Sequence, residues 1–313
     1  MNKIDFSYAS KLEHNLAQRF IIKTIERFTG KKKLENLYNQ YSIDKANPKL
    51  FWTDILKIMK INVKDQSKEP LKIPLTGSLI IIANHPFGIV DGLILCSLVS
   101  KVRNDFKIMT HETLKLLPQL DEYILPVDFS GTDKKTIKYN LQTASKAKKH
   151  LFNNGVLIIF PSGSVSVAKN LKSEAKDDEW KNFPAKLIHQ TKTDVLPIYF
   201  DGKNGILFHL FASKIKSSTL KYSSYLHETK KKMGKEITIY SGELIRYNDI
   251  SHLNDRTALT EFLKKYTLGL PLLIINTLKI GEYTVNNVVC TYYPNMKTSL
   301  IGMNFFDSIT HSM

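Results

Sequence analysis

The chain has 313 residues, 42% hydrophobic and 24% charged. This balance excludes a disordered or fibrous polypeptide, and the length suffices to bury a sizeable core without disulfides or metals. Basic residues outnumber acidic ones by 45 to 29, a formal charge of +16, which favours an anionic partner: nucleic acid, an acidic protein or anionic lipid.

In chain order, residues 1–45 read as an amphipathic helical segment. Leu12, Leu16, Phe20, Ile21, Ile25 and Phe28 recur at helical spacing, with Lys11, Arg19, Lys23 and Arg27 among them. Such a helix suits either a core cover or a bilayer surface. From about residue 46 the pattern changes. Ser78–Ala83 reads as a buried strand meeting a turn, and Leu93–Val99 as a helix. Phe106–Met109 and Ile124–Val127 are further strands, and Thr132–Phe152 is a lysine-studded helix stopped by Asn153, Asn154 and Gly155. Val156–Phe160 is another strand, Glu179–Thr191 a helix, Val195–Phe200 and Glu236–Tyr240 strands, and Asp255–Tyr266 a helix. Apolar strands alternating with helices predict an α/β fold: a mixed, mostly parallel sheet flanked by helices, preceded by the N-terminal helical segment. The α/β domain is expected over 46–267, with 268–313 an unassigned tail.

Cys96 and Cys290 form no CxxC and no zinc spacing, so a reducing compartment is expected and no metal site. The first residues lack the apolar core of a signal peptide, and no run of about 20 apolar residues predicts a membrane-spanning helix. HExxH, GxSxG, P-loop and GxGxxG motifs are absent, which removes support for zinc proteolysis, serine hydrolysis and nucleotide binding. Only five of the 45 basic residues are arginine, whereas base readout relies on bidentate arginine; no nucleic-acid partner is expected.

Ligands of open α/β sheets gather at the carboxyl ends of strands, and two strands here end in turns rich in functional groups. The first turn runs Asn84-His85-Pro86-Phe87-Gly88-Ile89-Val90-Asp91, the second Pro161-Ser162-Gly163-Ser164-Val165-Ser166. His85 and Asp91 are six residues apart, the wrong spacing for one helix face. They meet only if the chain bends sharply between them, as Pro86 and Gly88 allow. Asp91 then stands at the start of a helix, either holding one imidazole nitrogen so that the other acts as a base, or simply capping the helix.

The segment NHPFGIVDG resembles the first motif of the glycerolipid acyltransferases, in the branch called putative hemolysin or ornithine-lipid acyltransferase. Leu125–Asp128 with Asn140, Ile158–Ser166, Val195–Phe200 with Gly202, and Ser241–Ile245 are similar to later blocks in the same order, covering about residues 15–268. One departure is that the third block carries Ser162 and Ser164 where the family usually has an acidic residue. The resemblance implies transfer of a fatty acyl chain from an acyl-CoA or acyl-carrier-protein thioester to a hydroxyl of a lysolipid, lysophospholipid or lyso-ornithine lipid. In that reading His85 is the general base and Asp91 orients it. Asn84, Phe87, Gly88, Pro161, Ser162, Gly163, Ser164, Ser166 and Pro197 contact substrate, with backbone N–H groups of the Gly88 or Gly163 turns stabilising the oxyanion. No cofactor is implied beyond the donor. The expected partners are an anionic membrane surface, the acceptor and the donor, and the expected location is cytoplasmic, peripheral on the inner face of the membrane. The alternative is a non-catalytic lipid-binding relative of the same fold.

Overall fold

The computed structural model describes residues 31–44, 48–111, 120–128, 131–168, 173–206, 208–209, 218–280 and 283–289. The amphipathic pattern of residues 1–30 lies outside them; the described chain begins in helix α1 (Lys31–Asp44). Seven strands form one sheet: β1 (Asn62–Asp65), β2 (Leu79–Ala83), β3 (Phe106–His111), β4 (Ile124–Val127), β5 (Val156–Ile159), β6 (Asp194–Phe200) and β7 (Glu236–Ser241). Their spatial order is β1-β7-β6-β2-β5-β3-β4, and every neighbouring pair is parallel except the antiparallel β6–β7. The sheet is thus mixed and mostly parallel.

The central strands are apolar on both sides because both faces are covered. All five residues of β2 and all four of β5 are buried. On one face Leu79, Ile81 and Ala83 pack with α2 (Pro48–Ile58) and α3 (Ile89–Ser100), through Phe51, Trp52, Ile94 and Leu95. On the other, Ile80 and Ile82 meet α4 (Lys134–Phe152), α5 (Phe183–Thr191) and α8 (Arg256–Gly269), through Leu151, Ile188 and Leu263. Helix starts follow capping chemistry. Asp133 accepts from the N–H groups of Lys135 and Thr136 at the head of α4, and Asp255 accepts from Ala258 at the head of α8. α6 (Ser218–Lys232) and the one-turn α7 (Tyr247–Ile250) are further helices among the described residues.

Strand positions agree with the sequence pattern to within about two residues, and the helix ends are less exact. α3 begins at Ile89, four residues before the periodicity suggested, because Gly88 caps it. α5 begins only at Phe183. The sequence reading gave no element for β1, α2 or α6. β1 is a short, largely exposed edge strand without alternation. Part of the segment read as tail is also structured: β8 (Ile274–Ile280) and β9 (Tyr283–Val289) form an antiparallel pair apart from the main sheet. Among the described residues no helix is long and apolar enough to cross a membrane.

Candidate active site

β2 lies between β5 and β6, so the turns leaving these three strands share one rim. The first turn is fixed to β6 by Asn84, whose side chain accepts from the Phe200 N–H at 2.7 Å and donates to the Phe200 C=O at 2.9 Å. Gly88 then turns the chain with φ +76°, where a side chain is strained; an added Cβ would also lie 3.2 Å from Val165 of the second turn. That bend brings Asp91 back onto His85.

Asp91 is fully buried. Its Oδ2 accepts from three donors: His85 Nδ1 at 2.9 Å, the Phe87 N–H at 2.9 Å and the Gly88 N–H at 3.0 Å. Its Oδ1 has no partner among the described residues. Burial pushes the Asp91 carboxyl above the usual range, against the pull of His85 and the two backbone donors. The capping role and the histidine contact therefore coexist on one oxygen.

His85 is held from every side but one. Its N–H donates to Asp177 Oδ1 at 3.2 Å, its C=O accepts from the Ser166 N–H at 2.8 Å, and its ring stacks on Phe160 with centroids 3.9 Å apart. The side chain retains 16% exposure, and Nε2 has no hydrogen-bond partner among the described residues. The result is an imidazole with a fixed ring plane and one free nitrogen at the rim.

The second turn comes into contact with the first but arranges its donors inward. Ser162 donates to the Ser164 C=O at 2.8 Å, Ser164 to Asp178 and Ser166 to Asp177. Gly163, at φ +68°, donates its N–H to the Phe160 C=O, and the Pro161 C=O accepts from Lys181. Of the amides in these two turns, those of Gly88 and Gly163 themselves are engaged. Gly88 already donates to Asp91 and Gly163 to Phe160, because each amide closes its own turn. The Ser162 and Ser164 hydroxyls likewise bond within the protein, to the Ser164 C=O and to Asp178. Phe87 is buried beside this rim, whereas Pro197 is not brought to it. Pro197 sits inside β6 opposite Ile82, against Gly242.

Asp177 was not singled out in the sequence. Its carboxylate collects the His85 N–H, the Ser166 hydroxyl and the Trp180 Nε1–H, the last at 2.9 Å, and so ties a third loop to both turns. Carboxylates do stand beside Ser164 and Ser166 of the second turn, but they arrive from more than ten residues along the chain, and Ser162 meets only a carbonyl.

A family profile described as Acyltransferase matches residues 12–278, and the chain belongs to this acyltransferase family. It is 26% identical over 210 residues to a lyso-glycine lipid O-acyltransferase of Phocaeicola vulgatus, covering 65% of this chain and 72% of that protein. A lyso-glycine lipid O-acyltransferase of Bacteroides thetaiotaomicron is also 26% identical, over 165 residues, 52% of this chain and 57% of that one. Among solved structures, the 1-acyl-sn-glycerophosphate (LPA) acyltransferase PlsC of Thermotoga maritima is similar with a TM-score of 0.45 and 12% identity, covering 81% of this chain and 95% of that one.

Proposed function

We propose that the chain transfers a fatty acyl group from a thioester to a hydroxyl of a lysolipid, with His85 as general base and Asp91 as its orienting carboxylate. The observation that carries this reading is the 2.9 Å contact from His85 Nδ1 to buried Asp91, with Nε2 left free at the rim. An ionised Asp91 keeps the proton on Nδ1, so Nε2 presents a lone pair. The acceptor hydroxyl gives its proton to Nε2 as its oxygen attacks the thioester carbonyl. The C–S bond then breaks, and the departing thiolate takes the proton from the imidazolium. Asp91 stabilises that imidazolium at no reorganisation cost, because its position is fixed by the turn. Base catalysis of this kind contributes about 10²–10⁴-fold.

The names of the two curated relatives support a lyso-glycine lipid as the first acceptor to test. Acyl-CoA and acyl-carrier protein are the donors, and no cofactor is required because the thioester is already activated. The +16 charge supports residence on an anionic leaflet, on the inner face of the membrane, and would attract an acidic carrier protein as well. The test is acyl transfer by the purified chain from labelled acyl-CoA to lyso-glycine lipid, with the ester identified by mass spectrometry. His85→Ala is expected to lower turnover by about 10²–10⁴-fold while keeping the wild-type circular dichroism spectrum and a Tm within a degree or two. Wild-type turnover by that folded variant would sink the assignment.

A further inference from the structure

Next to Phe87, on the side of the rim away from the second turn, a cavity of about 410 Å³ opens at the carboxyl end of β6 and the amino end of β7. Its wall includes Gly202, Lys203, Asn204, Lys231, Lys232 and Lys235. The polar groups here are incompletely matched. The Lys232 ammonium lies 4.1 Å from the centre of the Phe87 ring and donates to the Lys203 C=O at 3.0 Å, but it makes no ion pair among the described residues. An ammonium has three protons, so donors remain for a ligand. Asn204 is only 3% exposed, and neither its amide nitrogen nor its amide oxygen has a partner among the described residues. Buried amides are ordinarily bonded, so an orphan on a cavity wall asks for an occupant.

Three carboxylates share the wall: Asp201, Glu228 and Glu236. Glu228 is engaged by Lys231 at 3.1 Å and by the Gly205 N–H at 2.7 Å, and Glu236 pairs with Lys64 outside the cavity at 3.7 Å. That leaves Asp201 to face Lys203, Lys232 and Lys235, a net positive remainder. Gly202, at φ +120°, keeps the approach open, since a Cβ there would lie 2.8 Å from the tip of Phe87. Phe87 is itself two residues beyond His85 and donates its N–H to Asp91, so cavity and base share one turn.

We propose that this cavity is a subsite for an anionic oxygen group, carboxylate or phosphate, bound by the Lys232 ammonium with Lys203 and the Asn204 amide. The inference rests on the acyl-transfer reading for its substrate, which carries such a group either on the acceptor head or on the phosphate of the donor. Burial draws the Lys232 ammonium below the usual lysine range, against the pull of Glu228 and Asp91. A bound anion would reverse that, because an ammonium in low dielectric is stabilised by an opposite charge.

The test compares wild type, Lys232→Gln and, should that variant fold poorly, the exposed Lys203→Gln. Acceptors are lyso-glycine lipid and its methyl ester, which lacks the carboxylate; donors are acyl-CoA and acyl-pantetheine, which lacks the phosphates. If the acceptor head occupies the cavity, Lys232→Gln raises KM for lyso-glycine lipid about tenfold, as the loss of one charged hydrogen bond predicts, and leaves the methyl ester unchanged. If the donor occupies it, the same rise appears with acyl-CoA and not with acyl-pantetheine. A KM that does not move, or that moves equally for charged and uncharged partners, overturns the subsite. Inorganic phosphate provides an arm that needs no turnover. Protection of wild-type Tm by phosphate, lost in Lys232→Gln, supports the subsite even if the wild type transfers no acyl group, an outcome that would overturn the acyl-transfer reading alone. Without turnover, absence of that protection overturns the subsite.

Discussion

At the amino rim of the sheet, buried Arg103 makes five hydrogen bonds, one for each of its N–H groups. Its Nε and one Nη2 proton grip Asp105, the other Nη2 proton reaches the Asn154 C=O, and Nη1 bonds the carbonyls of Pro74 and Gly77. One side chain thereby ties together the segments that enter β2, β3 and β5. At the carboxyl rim the turns around His85 are as tightly made, yet polar capacity is left over: His85 Nε2, Asp91 Oδ1, the Asn204 amide and part of the Lys232 ammonium. A saturated group has nothing to offer a ligand, and an unsaturated one held rigid does. The geometry of Arg103 assigns it to architecture rather than chemistry.

The sharpest way to break this comparison is to exchange the expected effects. His85→Ala should lower kcat by about 10²–10⁴-fold and leave Tm within a degree or two, read by paired activity and thermal-melt measurements. Asp91→Asn should give a loss of similar order, because the imidazole then loses its tautomer control. Arg103→Met should do the reverse. It strands buried carbonyls and should cost about 3–5 kcal/mol, seen as a lower urea midpoint, with kcat per folded molecule within about twofold of wild type. A folded, stable Arg103→Met that fails in catalysis would show the amino rim is not merely structural.

Asp177→Ala sharpens the comparison from within the carboxyl rim. Losing a charged hydrogen bond to the His85 backbone should cost about 1.5–3 kcal/mol; part of this should appear as a roughly tenfold lower kcat with KM unchanged. An unaltered kcat would reduce Asp177 to a fastener of its own loop. The smallest effect concerns pH. The Arg103 guanidinium beside Asp105 holds that carboxyl below its ordinary value of 3.8. A depressed carboxyl contributes stability that is present above 3.8 and is lost as pH falls through the lower folded value. Denaturant melts below pH 4 should therefore show a steeper loss for wild type than for Arg103→Met. Because Asp105 is half exposed, solvent screening keeps the difference small.

Much of the dyad was legible in the sequence because it is local. A buried strand, two bend-forming residues and an acid six positions on allow His85 and Asp91 to meet, and Gly88 meets the demand with a positive φ. The fold class was legible for a related reason: strands covered on both faces must be apolar throughout, and β2 and β5 are. The glycine amides could not be read in this way. Whether an N–H in a turn is free depends on which acceptor the finished turn places before it, and those of Gly88 and Gly163 are taken. Pro197 shared a block with residues that do reach the rim, but its register opposite Ile82 keeps it inside the sheet.

By itself the sequence determined the alternation of strands and helices and the sharp turn after β2, since periodicity and backbone sterics act over a few residues; it left Asp91 either on His85 or as a plain helix cap. Only the tertiary structure decided that Asp177, 92 positions from His85, holds its backbone; that Arg103 is consumed by architecture; and that Lys232 and Asn204 meet Phe87 at one cavity. Those contacts depend on the order in which strands assemble, and a chain read residue by residue carries no local signal of which distant segment will arrive beside it.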